Sequence, residues 1–293
     1  MGGSLGRIWV LAGATFTQLV RMKTFYFLLI FCALVALAGS LNIMAYNAEQ
    51  QMKLVKDVSL GAMSLFASIF GIVATAMLIP RDMEDRTLYT ILAKPVPRVE
   101  YLIGKLLGVL MVIGVSLAAM HLFFSGVLYA RQEMLLADDM TMMADRVDLT
   151  EEDVQSYAER VREQGVTWNL VNATGAIFLK ACVVTASAMV ISTVATTSLF
   201  TIIVSVLVFF IGHVQALART YWVDVEGGGV VAKLFSALVA LVFPDYQLYN
   251  VIDGVVSGEW IPFGAMLKLV GLTAFYVGIY TVVAYLVFAE KEL

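Results

Sequence analysis

Long apolar runs alternate with short polar ones along this chain. Six runs carry mainly apolar residues over a bilayer-sized length: 25–45, 58–79, 106–129, 173–195, 199–217 and 266–288. A hydrocarbon core about 30 Å thick takes about 20 helical residues to cross. Backbone groups cannot stay unpaired in lipid, so each run is expected as a helix. Only Thr196, Thr197 and Ser198 separate the fourth run from the fifth, which predicts a tight helical hairpin. A seventh run, 230–243, is too short to span and reads as an interfacial or re-entrant segment within the loop 218–265.

Two amphipathic patterns lie outside these runs. Leu5, Ile8, Trp9, Ala12, Phe16, Leu19 and Val20 recur at three- and four-residue spacing. They predict an interfacial helix within residues 1–24, with its apolar face in the acyl boundary. It is either a lever on the first span or a simple lead-in to it. In the insert 130–169, Thr150 followed by Glu151, Glu152 and Asp153 reads as an N-cap with an acidic first turn. Val154, Tyr157 and Val161 give a weak apolar stripe, and Gly165 stops the helix. This helix is either a cover over the outer ends or a contact for an extracytoplasmic partner.

Composition sharpens the picture. Apolar residues make up 60% of the chain and charged residues 14%, against about 45–50% and about 25% in soluble domains. Mean hydropathy is +0.86. A soluble enzyme and a disordered chain are both excluded. A net charge of −4 offers no basic surface for nucleic acid. Cys32 and Cys182 each sit inside an apolar run, so no disulfide framework is expected. The first run has no cleavage site after it and reads as an uncleaved span. The expected fold is an all-α integral membrane protein, with residues 25–293 forming one six-helix transmembrane domain. Arg81, Arg86, Lys94, Arg98 and Lys105 crowd into residues 81–105, next to the membrane. That density places this loop and both termini in the cytoplasm.

Candidate chemistry is sparse. His121 and His213 are isolated, and Met140, Met142 and Met143 have no Cys or His beside them, so no metal site is expected. Lys180 is a cation inside the fourth run. Its stem could snorkel to the outer surface, or it could serve, with His121, as a pathway or gate residue. Tyr246, Tyr249 and Trp260 read as interfacial anchors. A membrane enzyme would need paired catalytic groups, and an ion-coupled transporter would need intramembrane carboxylates. The runs offer almost none of either.

The most informative stretch is 80–105. Arg81, Asp82, Glu84, Asp85, Arg86 and Thr87 open it, Leu88 and Leu92 give an apolar side, Pro95 stops the turn, and Arg98, Gly104 and Lys105 lead into the third run. A short helix of mixed charge with an apolar edge suits docking into another protein.

This stretch resembles the cytoplasmic loop of type-2 ABC transporter permeases. Members carry an acidic residue, a basic residue and Thr, then a Leu-rich turn, a Pro-Val-x-Arg stretch and a Gly-Lys entering the third span. The wider layout is similar too, closest to permeases associated with copper-enzyme maturation. The resemblance implies a bacterial inner-membrane permease, an exporter, working as a homodimer or with a related second copy. It implies a separate ATP-binding subunit that binds ATP and Mg, with the loop as a coupling helix seated in that subunit. Arg81, Asp82, Glu84, Asp85, Arg86, Thr87, Leu88 and Leu92 would contact the ATPase. Gly104-Lys105 lacks the rest of a phosphate-binding G-x-x-x-x-G-K-[ST] loop, so the chain itself is not expected to hydrolyse ATP. Two alternatives stay open: a permease that transmits force to an outer partner, and an ion-coupled secondary transporter.

Overall fold

The computed structural model describes residues 3–21, 25–40, 47–84, 97–144, 151–195, 197–223, 230–231, 234 and 243–290. Among them are nine named α-helices: α1 Ser4–Arg21, α2 Phe25–Ser40, α3 Ala48–Glu84, α4 Arg98–Ala144, α5 Glu151–Glu163, α6 Trp168–Val194, α7 Ser198–Val223, α8 Ile252–Ser257 and α9 Phe263–Glu290. A 3₁₀ turn, Tyr246–Tyr249, precedes α8. The fold is that of an all-α integral membrane protein. Five stretches, in α3, α4, α6, α7 and α9, are long and apolar enough to cross a bilayer. The first expected span is α2, whose 16 residues rise about 24 Å, and residues 41–45 of that expectation lie outside the described residues.

Register follows from side-chain pairs. Ser64 meets Lys180 and Thr75 meets Ser192, so α3 and α6 run in the same direction. Asp82 meets Tyr101 and Gln51 meets Arg131, so α4 runs against α3. Asn169 bonds the backbone of Glu259 and Ile261 just before α9, placing α9 parallel to α6. One end of the bundle thus carries the loop 85–96 and the other carries the insert around α5.

The centre of the bundle is α6. Ala173, Ala176, Ala181, Ala186 and Ala188 are buried along it, with Thr185, Ser187 and Ser192. Small side chains let neighbouring backbones approach, and packing of this kind holds helices together where lipid supplies no hydrophobic drive. By contrast α7 and α9 turn large apolar residues outward, among them Phe210 and Leu207 on α7 and Phe275 and Leu286 on α9. These faces suit acyl chains.

Two expectations need correction here, on the third span and on Tyr246 and Tyr249. The third span is one piece of a much longer helix: α4 has 47 residues and rises about 70 Å, so the first third of the insert continues it. The predicted outer helix is α5, while its expected cap Thr150 lies outside the described residues. Tyr246 and Tyr249 are not interfacial anchors, being 0% and 2% exposed. They insert between α6, α7 and α9: the Tyr246 hydroxyl lies 3.4 Å from Ser187 Oγ, and that of Tyr249 lies 3.0 Å from Thr273 Oγ1. Gly212 makes room, since a Cβ there would stand 2.5 Å from the Tyr246 ring. Trp260 remains exposed, as an anchor would be. Most of the run 230–243, expected as the re-entrant piece, lies outside the described residues; the inserted segment begins at its last residue.

Candidate functional site: the junction of α3 and α4

Amphipathicity forms α1, but protein takes its most buried face. Ala12, Thr15 and Leu19 are buried against the bundle, whereas Leu5, Trp9 and Val10 point away from it. Along α4, Gly104 receives Ile8 and Leu11, and Gly108 receives Ala12 and Thr15. A Cβ at Gly104 would stand 2.6 Å from Leu11 Cβ, and one at Gly108 would stand 2.8 Å from the Ala12 carbonyl oxygen. Four-residue steps on both helices match, so α1 runs alongside the start of α4 rather than flat beneath the bundle. The Gly-x-x-x-Gly spacing of 104 and 108 is what permits that approach.

A charged clasp closes the top of this contact. Arg7 donates to both carboxylate oxygens of Glu100, at 2.6 and 2.7 Å, and Ser4 Oγ donates to one of them at 2.7 Å. Hydrogen bonding to Glu100 raises the Arg7 guanidinium further above its ordinary pKa, so the pair is held ionised.

The end of α3 and the start of α4 are joined to each other as well. Asp82, near the end of α3, accepts from Tyr101 Oη at 2.7 Å and pairs with Lys105 Nζ at 2.8 Å. All three side chains are buried. The Lys105 ammonium also lies 5.7 Å from the Tyr101 ring centroid. In turn, Tyr101 stacks on Phe288 near the end of α9, centroids 6.0 Å apart. Arg98 donates to the carbonyls of Phe288 and Ala289 at 2.9 and 2.7 Å. Those carbonyls belong to the last turn of α9, where the helix has no donors of its own to offer them. The base of the loop therefore ties together α1, α3, α4 and α9.

The predicted residues divide accordingly. Asp82, expected at an ATPase surface, is instead an internal ligand of Lys105 and Tyr101. Arg81 and Glu84 lie in the final turn of α3, which continues through Pro80. Asp85, Arg86, Thr87, Leu88, Leu92 and Pro95 lie outside the described residues. Arg98, Gly104 and Lys105 come together at the base. Sequence reasoning missed Tyr101, Glu100, Arg7 and Phe288. The signal available for Glu100 and Arg7 was an acidic and a basic residue in two stretches far apart in the chain, which spacing alone does not pair.

The two intramembrane candidates are not brought together. Nδ1 of His121 lies 2.8 Å from Thr174 Oγ1, which itself donates to the Leu170 carbonyl. The Thr174 hydrogen is thereby committed, so His121 donates from Nδ1. Lys180 sits on another side of α6, against Ser64 and Phe209. Only 8% exposed, it does not snorkel to a surface. His213 packs on Phe209 and Tyr246.

Comparison with known proteins gives one family. Residues 16–142 match the model of the ABC-2 family transporter proteins, a stretch that takes in the last third of α1, then α2, α3 and nearly all of α4. No curated protein matches the chain. The match is to the family at large and carries nothing about the copper-enzyme-maturation subgroup. Over that stretch, a little under half of its length, the chain is similar to the ABC-2 family transporter proteins, the type-2 ABC permeases, and its five long apolar helices are those of a multi-pass membrane protein.

Proposed function

We propose that the chain is the membrane subunit of an ATP-driven exporter, with the loop 85–96 as its coupling helix. The observation that carries this reading is the clasp at the base of the loop. Asp82 and Lys105 fix the two ends of the loop to each other, while Arg98 and Glu100 fasten it to α9 and α1. A push on such a loop cannot be absorbed locally, because its ends are bound into four helices. It would tilt those helices together, as alternating access requires.

In this reading a separate ABC ATP-binding subunit binds ATP and Mg and docks on the loop. A second permease copy, the same or related, completes the membrane unit. The loop end faces the cytoplasm with both termini, in a bacterial inner membrane. The energy comes from the difference in ATP affinity between two arrangements of the assembly. Arg81, Glu84, Asp85, Arg86 and Thr87 supply polar contacts, and Leu88 and Leu92 the apolar edge. The force-transmitting alternative has one feature in its favour: α4 is a continuous rod from the clasp to beyond the Gln51–Arg131 contact at the insert end.

The test is affinity purification of the tagged chain from its native membrane, with Glu84→Lys and Asp85→Lys combined in one variant. The wild-type chain should retain an ATP-binding subunit in stoichiometric amount, and the double variant should lose it while inserting normally. A wild-type chain that purifies alone, or a double variant that keeps the ATPase and its transport-coupled turnover, would sink the proposal.

A further inference from the structure

Most buried cations in this bundle have an oxygen-rich partner. Lys105 has the carboxylate of Asp82, Arg131 has the amide oxygen of Gln51, and Lys56 has that of Gln164. Lys180 differs. Among the described residues its hydrogen-bond partner is the Ser64 hydroxyl at 3.2 Å, and no carboxylate lies within 4 Å. The face of Phe209 lies 5.6 Å from the ammonium. An ammonium offers three donors, and among the described residues one finds an acceptor. Burying a cation is costly unless an anion or several acceptors compensate, and one ring face compensates only in part. Helix packing alone does not call for a lysine at this place.

Polar and aromatic groups surround it. Phe209 stands between Lys180 and His213, whose ring lies 4.3 Å from that of Phe209. Tyr246 adjoins both rings, at 5.6 and 5.4 Å, and brings its hydroxyl to Ser187. From Lys180 a seam of hydroxyls runs between α3 and α6 toward the loop end: Ser64 and Ser68, then Thr185, then Thr75 and Ser192, all buried. The ring against the ammonium, Phe209, belongs to α7. The outer face of α7 exposes Phe200, Ile203, Leu207 and Phe210, residues that suit acyl chains.

We infer that Lys180 is the recognition group for an anionic cargo, the acidic headgroup of a lipid-like amphiphile. The headgroup phosphate or carboxylate pairs with the ammonium and the Ser64 hydroxyl, while the acyl part lies along α7. This deepens the permease reading and rests on it for its role in transport. In the arrangement described here the site is closed, with Phe209 against the ammonium.

The test uses the purified full chain in a non-ionic detergent, with dioctanoyl phosphatidylglycerol and dioctanoyl phosphatidylcholine as probes and native mass spectrometry as readout. Wild-type protein should bind the anionic lipid at least about tenfold more tightly than the zwitterionic one, which is about one order in Kd. Lys180→Met should remove that preference, and Lys180→Arg should keep most of it. A wild-type chain without preference, or a Lys180→Met variant that retains it, overturns the inference. Should the Met variant fail to fold, a diazirine-bearing phosphatidylglycerol decides: wild-type labelling on α6 or α7 supports the site, and labelling confined to other helices overturns it. Competition by inorganic phosphate distinguishes a small free anion from a lipid headgroup: displacement assigns the free anion and overturns the amphiphile, and no displacement supports the headgroup. No ATPase enters these measurements. Absence of an ATP-binding subunit in the purification would therefore defeat the permease reading without touching the binding result.

Discussion

The residues that join α3 to α4 are held by few, short contacts in a poorly solvated place. Asp82, Lys105 and Tyr101 form a buried triad in which each polar group has a partner. Removing one member leaves another buried and unmatched, which costs about 3–5 kcal/mol, whereas replacing an ion pair by apolar groups costs much less. Asp82→Asn and Lys105→Met alone should therefore each lower the thermal unfolding temperature in detergent more than an exposed substitution does. The combined Asp82→Leu, Lys105→Met variant should recover a good part of the loss. Simple additivity of the single losses would show that the two side chains do not act as a pair. Asp82 also shows how far sequence reached at this scale. It stood in a charged run and read as a surface residue, because both of its partners come from the far side of the loop. Periodicity along one helix carries no information about them.

Among the elements, α1 is the clearest case of a pattern that was legible in form and not in use. Three- and four-residue spacing gave the helix, but the same spacing could not say whether lipid or α4 would cover it. The answer lies in Gly104 and Gly108, where the missing side chains let α1 approach α4. Gly108→Leu should force them apart, at a cost of about 1–3 kcal/mol typical of overpacking. It should also expose α1 to limited proteolysis after Arg7 or Arg21, with the remaining helices intact. A variant as resistant as wild type would argue that the contact is incidental. The inserted segment at Tyr246 carries the complementary lesson. Polar-tipped aromatics between Pro and Asn read as loop and interface, yet room at Gly212 and hydroxyl partners on α6 and α9 bury them.

At the scale of the whole molecule, the bundle has two distinct ends. Asp82, Glu100, Arg98 and the last turn of α9 cluster at one, and α5, Trp168 and Trp260 at the other. The orientation proposed for it can be checked with single cysteines in a Cys32→Ala, Cys182→Ala background. Trp260→Cys should react with a membrane-impermeant maleimide in intact cells. Glu290→Cys should react only after the membrane is permeabilised, and Tyr246→Cys should stay unreactive in both conditions because the segment is buried. Reaction of the position-290 cysteine in intact cells would invert the topology and detach the loop from any cytoplasmic ATPase.

By itself the sequence determined that this is a helical membrane protein and where its apolar runs lie, because lipid demands internally paired backbone and about 20 apolar residues for each crossing. It also carried the family resemblance, through a local stretch of charge, Leu, Pro and Gly-Lys. Tertiary structure decided which helix α1 covers, where Tyr246 goes, that Asp82 faces inward, and that Lys180 is enclosed against Ser64 and Phe209. Each of these depends on a partner distant in sequence, often a glycine or a hydroxyl that contributes almost nothing to hydrophobic periodicity. Apolar pattern reports how a residue relates to solvent or lipid; only the packed bundle says which other residue it meets.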